Sequence, residues 1–177
     1  MTLLTGALVA AVAVAVGAEG LAPGEQFTRP LGMQLVRTTI VEAQQRLGAA
    51  PVVESGHHEQ TVCYFDSRSR TYVAFTAQDE GLSGGFTARR LEGETPPGCA
   101  RLPASALKAL ERGIGGLRLG MSRQQFLAVV GTRVSVADGF ETATFERSDP
   151  LFISVVVRAR FAHGRLAEYV ILKTATT

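Results

Sequence analysis

Residues 116–131, GLRLGMSRQQFLAVVG, read as a loop, a capped helix and a stop, with strand-forming chain directly after them. Ser122 is a strong N-cap. Its hydroxyl can accept from a free amide of the first turn, and Gln125 three residues on supplies the other half of a capping box. Phe126, Val129 and Val130 then fall at i, i+3 and i+4, so they share one buried face while Arg123 and Gln124 stay in water. Gly131 supplies the left-handed conformation that ends a helix.

The same signals occur earlier in the chain. Thr39, Gly48 and Gly56 precede Ser122, Gly131 and Gly139 by one constant offset, the signature of an internal repeat. In each copy a cap opens a helix, a Gly closes it, and a second Gly marks the turn into strands. Runs rich in β-branched and aromatic residues follow at 61–65, 72–76 and 86–91, and again at 142–147, 153–161 and 166–173. Between the copies, Pro96, Pro97, Gly98 and Pro103 rule out a central strand, and 104–112 reads as a short helix stopped by Gly113. The expected fold is α+β, two tandem helix-plus-antiparallel-sheet repeats over 31–92 and 113–173, joined by a Pro-rich linker with a short helix over 93–112.

Residues 3–18 are apolar, Gly or Thr, without a charge. The run is short for a membrane span and suits the hydrophobic region of a secretory signal peptide over 1–18, with cleavage before Glu19. An uncleaved anchor is the alternative. No Lys or Arg precedes Leu3. The compartment expected is periplasmic or secreted, with no membrane span after cleavage. Cys63 and Cys99 are an even pair in a chain bound for oxidising surroundings, so a disulfide is expected. Closing that loop stabilises the fold by about 3–4 kcal/mol if geometry is unstrained. Unlinked buried thiols are the other reading.

The chain carries 18 Lys+Arg against 16 Asp+Glu, a net charge of +2, with no clustered basic stripe, which excludes nucleic acid as the partner. No cofactor fingerprint is present, whether P-loop, dinucleotide or G-x-S-x-G. A structural metal site is not expected, because His57, His58 and His163 with two Cys lack the ligand spacing of zinc. Ser105 and Lys108 have the S-x-x-K spacing of penicillin-recognising enzymes, yet neither S-D-N nor K-T-G follows. His57, His58 and Glu59 follow Gly56 and read as a solvated turn. The GLSGG run over 81–85 reads as a hairpin loop rather than a phosphate cradle, since no helix opens after it.

The 116–131 stretch, its Gly turn and the closing ARFAHGRLAEYVIL resemble the small bacterial envelope proteins typified by the β-lactamase inhibitor protein and by the SmpA/OmlA lipoprotein of the outer-membrane barrel assembly machinery. The resemblance is best over 113–172 and implies a β-lactamase-inhibitor-protein-like fold with a binding or assembly role. The chain lacks the lipidated Cys of the lipoprotein, and it has no Trp. The function expected is a non-catalytic envelope binding or assembly factor that takes an envelope protein. A small serine hydrolase using Ser105 and Lys108 is the competing reading, and a structural domain without a partner is the third.

His163 and Gly164 can form a two-residue hairpin that pairs Ala162 with Arg165 and Phe161 with Leu166. Continued without a break, this ladder sets Arg158 opposite Tyr169. Val155, Val157, Phe161, Leu166, Val170 and Leu172 then face the helix. Arg158, Arg160, Tyr169, Ile171 and Lys173 collect on the other side, either as a wet sheet face or as a basic, aromatic surface for an acidic partner.

Export predicts that the envelope form begins at Glu19 and that Cys63 and Cys99 resist alkylation until reductant is added. Intact-mass and alkylation measurements on fractionated cells check both. Full-length protein with two free thiols in the cytosol would overturn them.

Overall fold

In the computed structural model, which describes residues 22–55, 58–78, 83–93, 96–148 and 151–176, both capping boxes form. The signal peptide expected over 1–18 lies outside the described residues, as does Gly56. Two 3-10 turns, Glu25–Phe27 and Pro30–Gly32, lead to helix α1 (Ile40–Leu47), opened by Thr39. Strands β1 (Val52–Ser55), β2 (Glu59–Asp66), β3 (Thr71–Ala77) and β4 (Ser83–Arg90) follow. The linker contributes β5 (Ala100–Arg101) and α2 (Ala104–Arg112). Helix α3 (Arg123–Val130), opened by Ser122, precedes β6 (Ser135–Ala137), β7 (Phe140–Arg147), β8 (Phe152–Ala162) and β9 (Arg165–Thr176).

The expected pair of helix-plus-sheet repeats is not what forms. The order β1-β2-β3-β4-β9-β8-β7-β6, with β5 beside β2, makes one nine-stranded sheet, antiparallel except where β5 joins. β4 pairs with β9 from Gly85–Leu172 to Arg89–Glu168, so the stretches 31–92 and 113–173 share one sheet. The physical reason is that β4 and β9 would each otherwise be an edge, with a row of unpaired amides and carbonyls. Pairing them removes both edges and fuses two apolar faces. Phe86 of β4 lies with its ring centre 5.0 Å from Phe75 and 6.2 Å from Tyr169 of β9.

All three helices bury their apolar stripes in this one core: Ile40, Ala43 and Leu47 from α1, Ala106 and Leu110 from α2, Phe126 and Val130 from α3. The Tyr64 hydroxyl donates to the Gly48 carbonyl at 2.9 Å, which ties β2 to the end of α1. Gly48 and Gly131 close α1 and α3 at φ 102° and 89° with ψ 157° and 174°. This is not the left-handed helical conformation expected of Gly131. It is extended backbone at positive φ, a region open essentially to Gly alone.

Cys63 and Cys99 form the expected disulfide, with Cα atoms 4.8 Å apart. The bridge holds the linker so that Ala100 and Arg101 run parallel to β2, opposite Tyr64 and Phe65. The Leu102 amide then donates to the Phe65 carbonyl. A disulfide fits an oxidising compartment. Among the described residues, no helix is long and apolar enough to cross a membrane.

Lys173 of β9 is only 8% exposed and donates to Glu25 Oε1 at 3.1 Å. Thr28 donates to the other carboxylate oxygen at 3.0 Å. Burial acts to raise the Glu25 pKa, but the Lys173 and Thr28 hydrogen bonds, with the charges of Lys173 and Arg147, outweigh it and hold the carboxyl below its ordinary value. A pKa lowered in the folded state contributes stability above the unfolded pKa and loses it as pH falls through the folded one. Glu25→Gln is therefore expected to cost about 1–3 kcal/mol at neutral pH, since it leaves a buried ammonium without its counter-charge. That deficit should shrink as pH falls out of the ordinary carboxylate range and close once Glu25 is protonated in the folded protein. Urea unfolding of both proteins across a pH series checks this, and a deficit that stays constant into acid would remove the ionised pair as its source.

Candidate functional site

The β8–β9 hairpin turns at His163 and Gly164, with φ 50° and 72°, and pairs Ala162 with Arg165 and Phe161 with Leu166 as the sequence indicates. One step later the ladder slips. Arg160 pairs with Glu168, Ala159 with Tyr169 and Arg158 with Val170, which leaves Ala167 as an extra residue in a β-bulge. From that point every β9 side chain lies on the side opposite to that of an unbroken ladder. Tyr169 and Ile171 are fully buried and Lys173 nearly so, whereas Leu172 is 38% exposed.

The five residues expected to share one face are thus divided by the sheet. Tyr169, Ile171 and Lys173 point to the helix side, and Arg158 and Arg160 lie on the helix-free side. The reason is electrostatic. An unbroken ladder that turns Leu166 inward also turns Glu168 inward, under the helices and without a partner, which is costly. The bulge sets Glu168 on the helix-free side within 3.6 Å of Arg160.

On that side the registers line up one row of side chains across the sheet: Phe65 of β2, Tyr72 of β3, Arg89 of β4, Glu168 of β9 and Arg160 of β8. Phe140 of β7 extends the row and receives two guanidiniums over its ring, Arg158 at 4.4 Å and Arg160 at 4.2 Å. Arg89 stacks over Tyr72 at 4.5 Å. Six strands at ordinary spacing make this row about 24 Å long. Burial raises the Tyr72 pKa against the opposing influence of Arg89, so the phenol keeps its proton at neutral pH.

Arg160 is the one arginine of the row that forms an ion pair. Arg89 and Arg158 form none among the described residues, and the Arg89 Nε is buried without a hydrogen-bond partner. Stacking on an aromatic ring fixes each guanidinium in advance, so a carboxylate arriving there meets a positioned, partly desolvated donor. The disulfide-held linker covers one corner of the face, where Cys63 and Phe65 are buried. Tyr72, Arg89, Phe140 and Glu168 escaped the sequence reading, although the opposite charges of Arg160 and Glu168 would have favoured the bulged register.

The other sequence candidates do not converge on this face. Ser105 and Lys108 are both exposed on α2, with no hydrogen bond between them. His57 lies outside the described residues, and His58 is exposed in the turn before β2. Of the GLSGG run, Gly84 and Gly85 belong to β4, while Gly81 lies outside the described residues. Among the described residues, no group of three or more His, Cys, Asp or Glu is placed to hold a metal ion.

Deleting Ala167 should remove the bulge yet leave Glu168 beside Arg160 and Tyr169 in the core, because it takes out the extra residue and keeps the pairs on either side of it, so the variant should still unfold cooperatively. The Tyr169 hydroxyl is itself buried without a partner, so Tyr169→Phe should match or exceed the parent melting temperature. Thermal melts followed by near-ultraviolet circular dichroism check the pair. A deletion variant that loses cooperative unfolding would show that Ala167 is not the residue left over by the pairing.

No family model matches the chain, and no curated protein and no solved structure is significantly similar to it, so the envelope resemblance rests on the motif residues themselves.

Proposed function

We propose that the chain is a non-catalytic binding protein of the cell envelope, periplasmic or secreted, that takes an acidic protein partner on the helix-free face of its sheet. The observation that carries this reading is the row from Tyr72 to Phe140, with Arg89 and Arg158 stacked on rings and without an ion pair among the described residues. Arg and Tyr are the residue types that anchor interfaces, and stacked guanidiniums give up little freedom on binding. The partner's carboxylates would reach Arg89 and Arg158, while the Arg160–Glu168 pair would set register between them. The disulfide supports the compartment, since such bridges persist where thiols are not kept reduced.

The test is in-cell crosslinking of the tagged full chain, followed by binding measurements with the partner so recovered. Arg158→Glu, and separately Arg89→Met, should weaken capture about tenfold or more with little change in melting temperature, and capture should fall as salt rises. Arg112→Glu, exposed at the end of α2 on the helix side of the sheet, serves as the control and should leave capture intact. Undiminished capture by Arg158→Glu and Arg89→Met, or a loss of equal size in Arg112→Glu, would remove the face from the reading.

A further inference from the structure

A cleft of about 390 Å³ opens on the helix side, between α2, the loop that leads into α3, and the paired ends of β3 and β4. That volume is in the range that holds small organic ligands. Its apolar lining comes from Leu107 and Leu110 of α2 and from Leu119 and Met121 of the loop. Three guanidiniums border it, Arg90, Arg118 and Arg165, against the single carboxylate of Glu111.

These arginines come from three different elements: the end of β4, the loop before α3, and the β8–β9 hairpin. They are therefore gathered by the fold and do not form a run along one surface. None forms an ion pair among the described residues. Among the described residues, the Arg165 side chain makes one long hydrogen bond, 3.4 Å, to the Gly120 carbonyl. Gathering like charges at one concavity costs free energy unless an anion offsets it, and guanidiniums present donors in the fork geometry that fits a carboxylate.

The geometry points to a binding site for a small organic carboxylate with an aliphatic body, the body resting on the leucines and Met121 and the acid group between Arg90, Arg118 and Arg165. The same chemistry is offered by a free aliphatic acid and by the C-terminal carboxylate of a peptide. Arg90 and Arg165 also border a neighbouring cleft with Arg89, Arg160 and Glu168 of the helix-free row, whereas Arg118, Leu107, Leu110 and Met121 line this one alone.

Calorimetric titration of the full chain with octanoate, octanamide and N-acetyl-leucyl-leucine tests it. Saturable binding of at least one of the two acids, with octanamide inert, is expected, and the tighter of the acids tells a free acid from a chain terminus. Arg90→Gln and Arg165→Gln should each weaken that binding about tenfold, as the loss of a charged hydrogen bond does. Arg118→Gln, a change on an exposed loop, should weaken it as well without touching the sheet. No saturable binding of either acid, octanamide binding as well as octanoate, or full affinity in folded Arg118→Gln and Arg165→Gln would overturn the proposal.

Discussion

The ladder between β4 and β9 is the constraint on which the rest depends. Five residue pairs, from Gly85–Leu172 to Arg89–Glu168, turn what would be two four-stranded edges into the middle of one sheet. With that seam closed, Phe75, Phe86 and Tyr169 stack through the centre of a single core, and the three helices have one apolar surface to cover. Without it, two small sheets would each bury too little surface to stand comfortably alone. The seam also completes the row across the helix-free face, because Arg89 and Glu168 are one of its five pairs.

Ala167 decides which chemistry that face shows. The run Tyr169, Val170, Ile171, Leu172 is apolar on both parities, so hydrophobic burial barely distinguishes the two registers. Charge does distinguish them. One register places Glu168 beside Arg160, and the other places it under the helices. Inserting one residue costs β9 a local ladder hydrogen bond and spares the core a carboxylate. Lys173 is the reverse case: it does turn inward, and Glu25 is there to meet it.

Local signals in the sequence were readable to the residue. Thr39 and Ser122 cap helices through complete boxes, Gly48, Gly113 and Gly131 stop them, and His163 with Gly164 makes the hairpin. Long-range pairing was not readable. Nothing in the pattern of 86–91 or 166–173 says that these strands meet each other, since alternation specifies a face and not a neighbour. The bulge was hidden because Ala167 is small and carries no turn signal, and with it went the positions of Tyr169, Ile171 and Lys173. Of the candidate face, Arg158 and Arg160 could be placed from β8 alone, whereas Arg89 and Tyr72 needed the seam. The short edge strands β1 and β6 lay below what periodicity resolves.

The seam also orders events in time. As the chain is made from its N-terminus, β2, β3 and β4 can pair with one another early, and the bridge between Cys63 and Cys99 can close around them. The free side of β4 must then wait for β9, the last strand among the described residues. That contact is far apart along the chain, and such contacts slow folding. Until it forms, β4 is an open template for another chain, so the step most exposed to misassembly is the last one, and a chaperone that shields strand edges would act there to greatest effect.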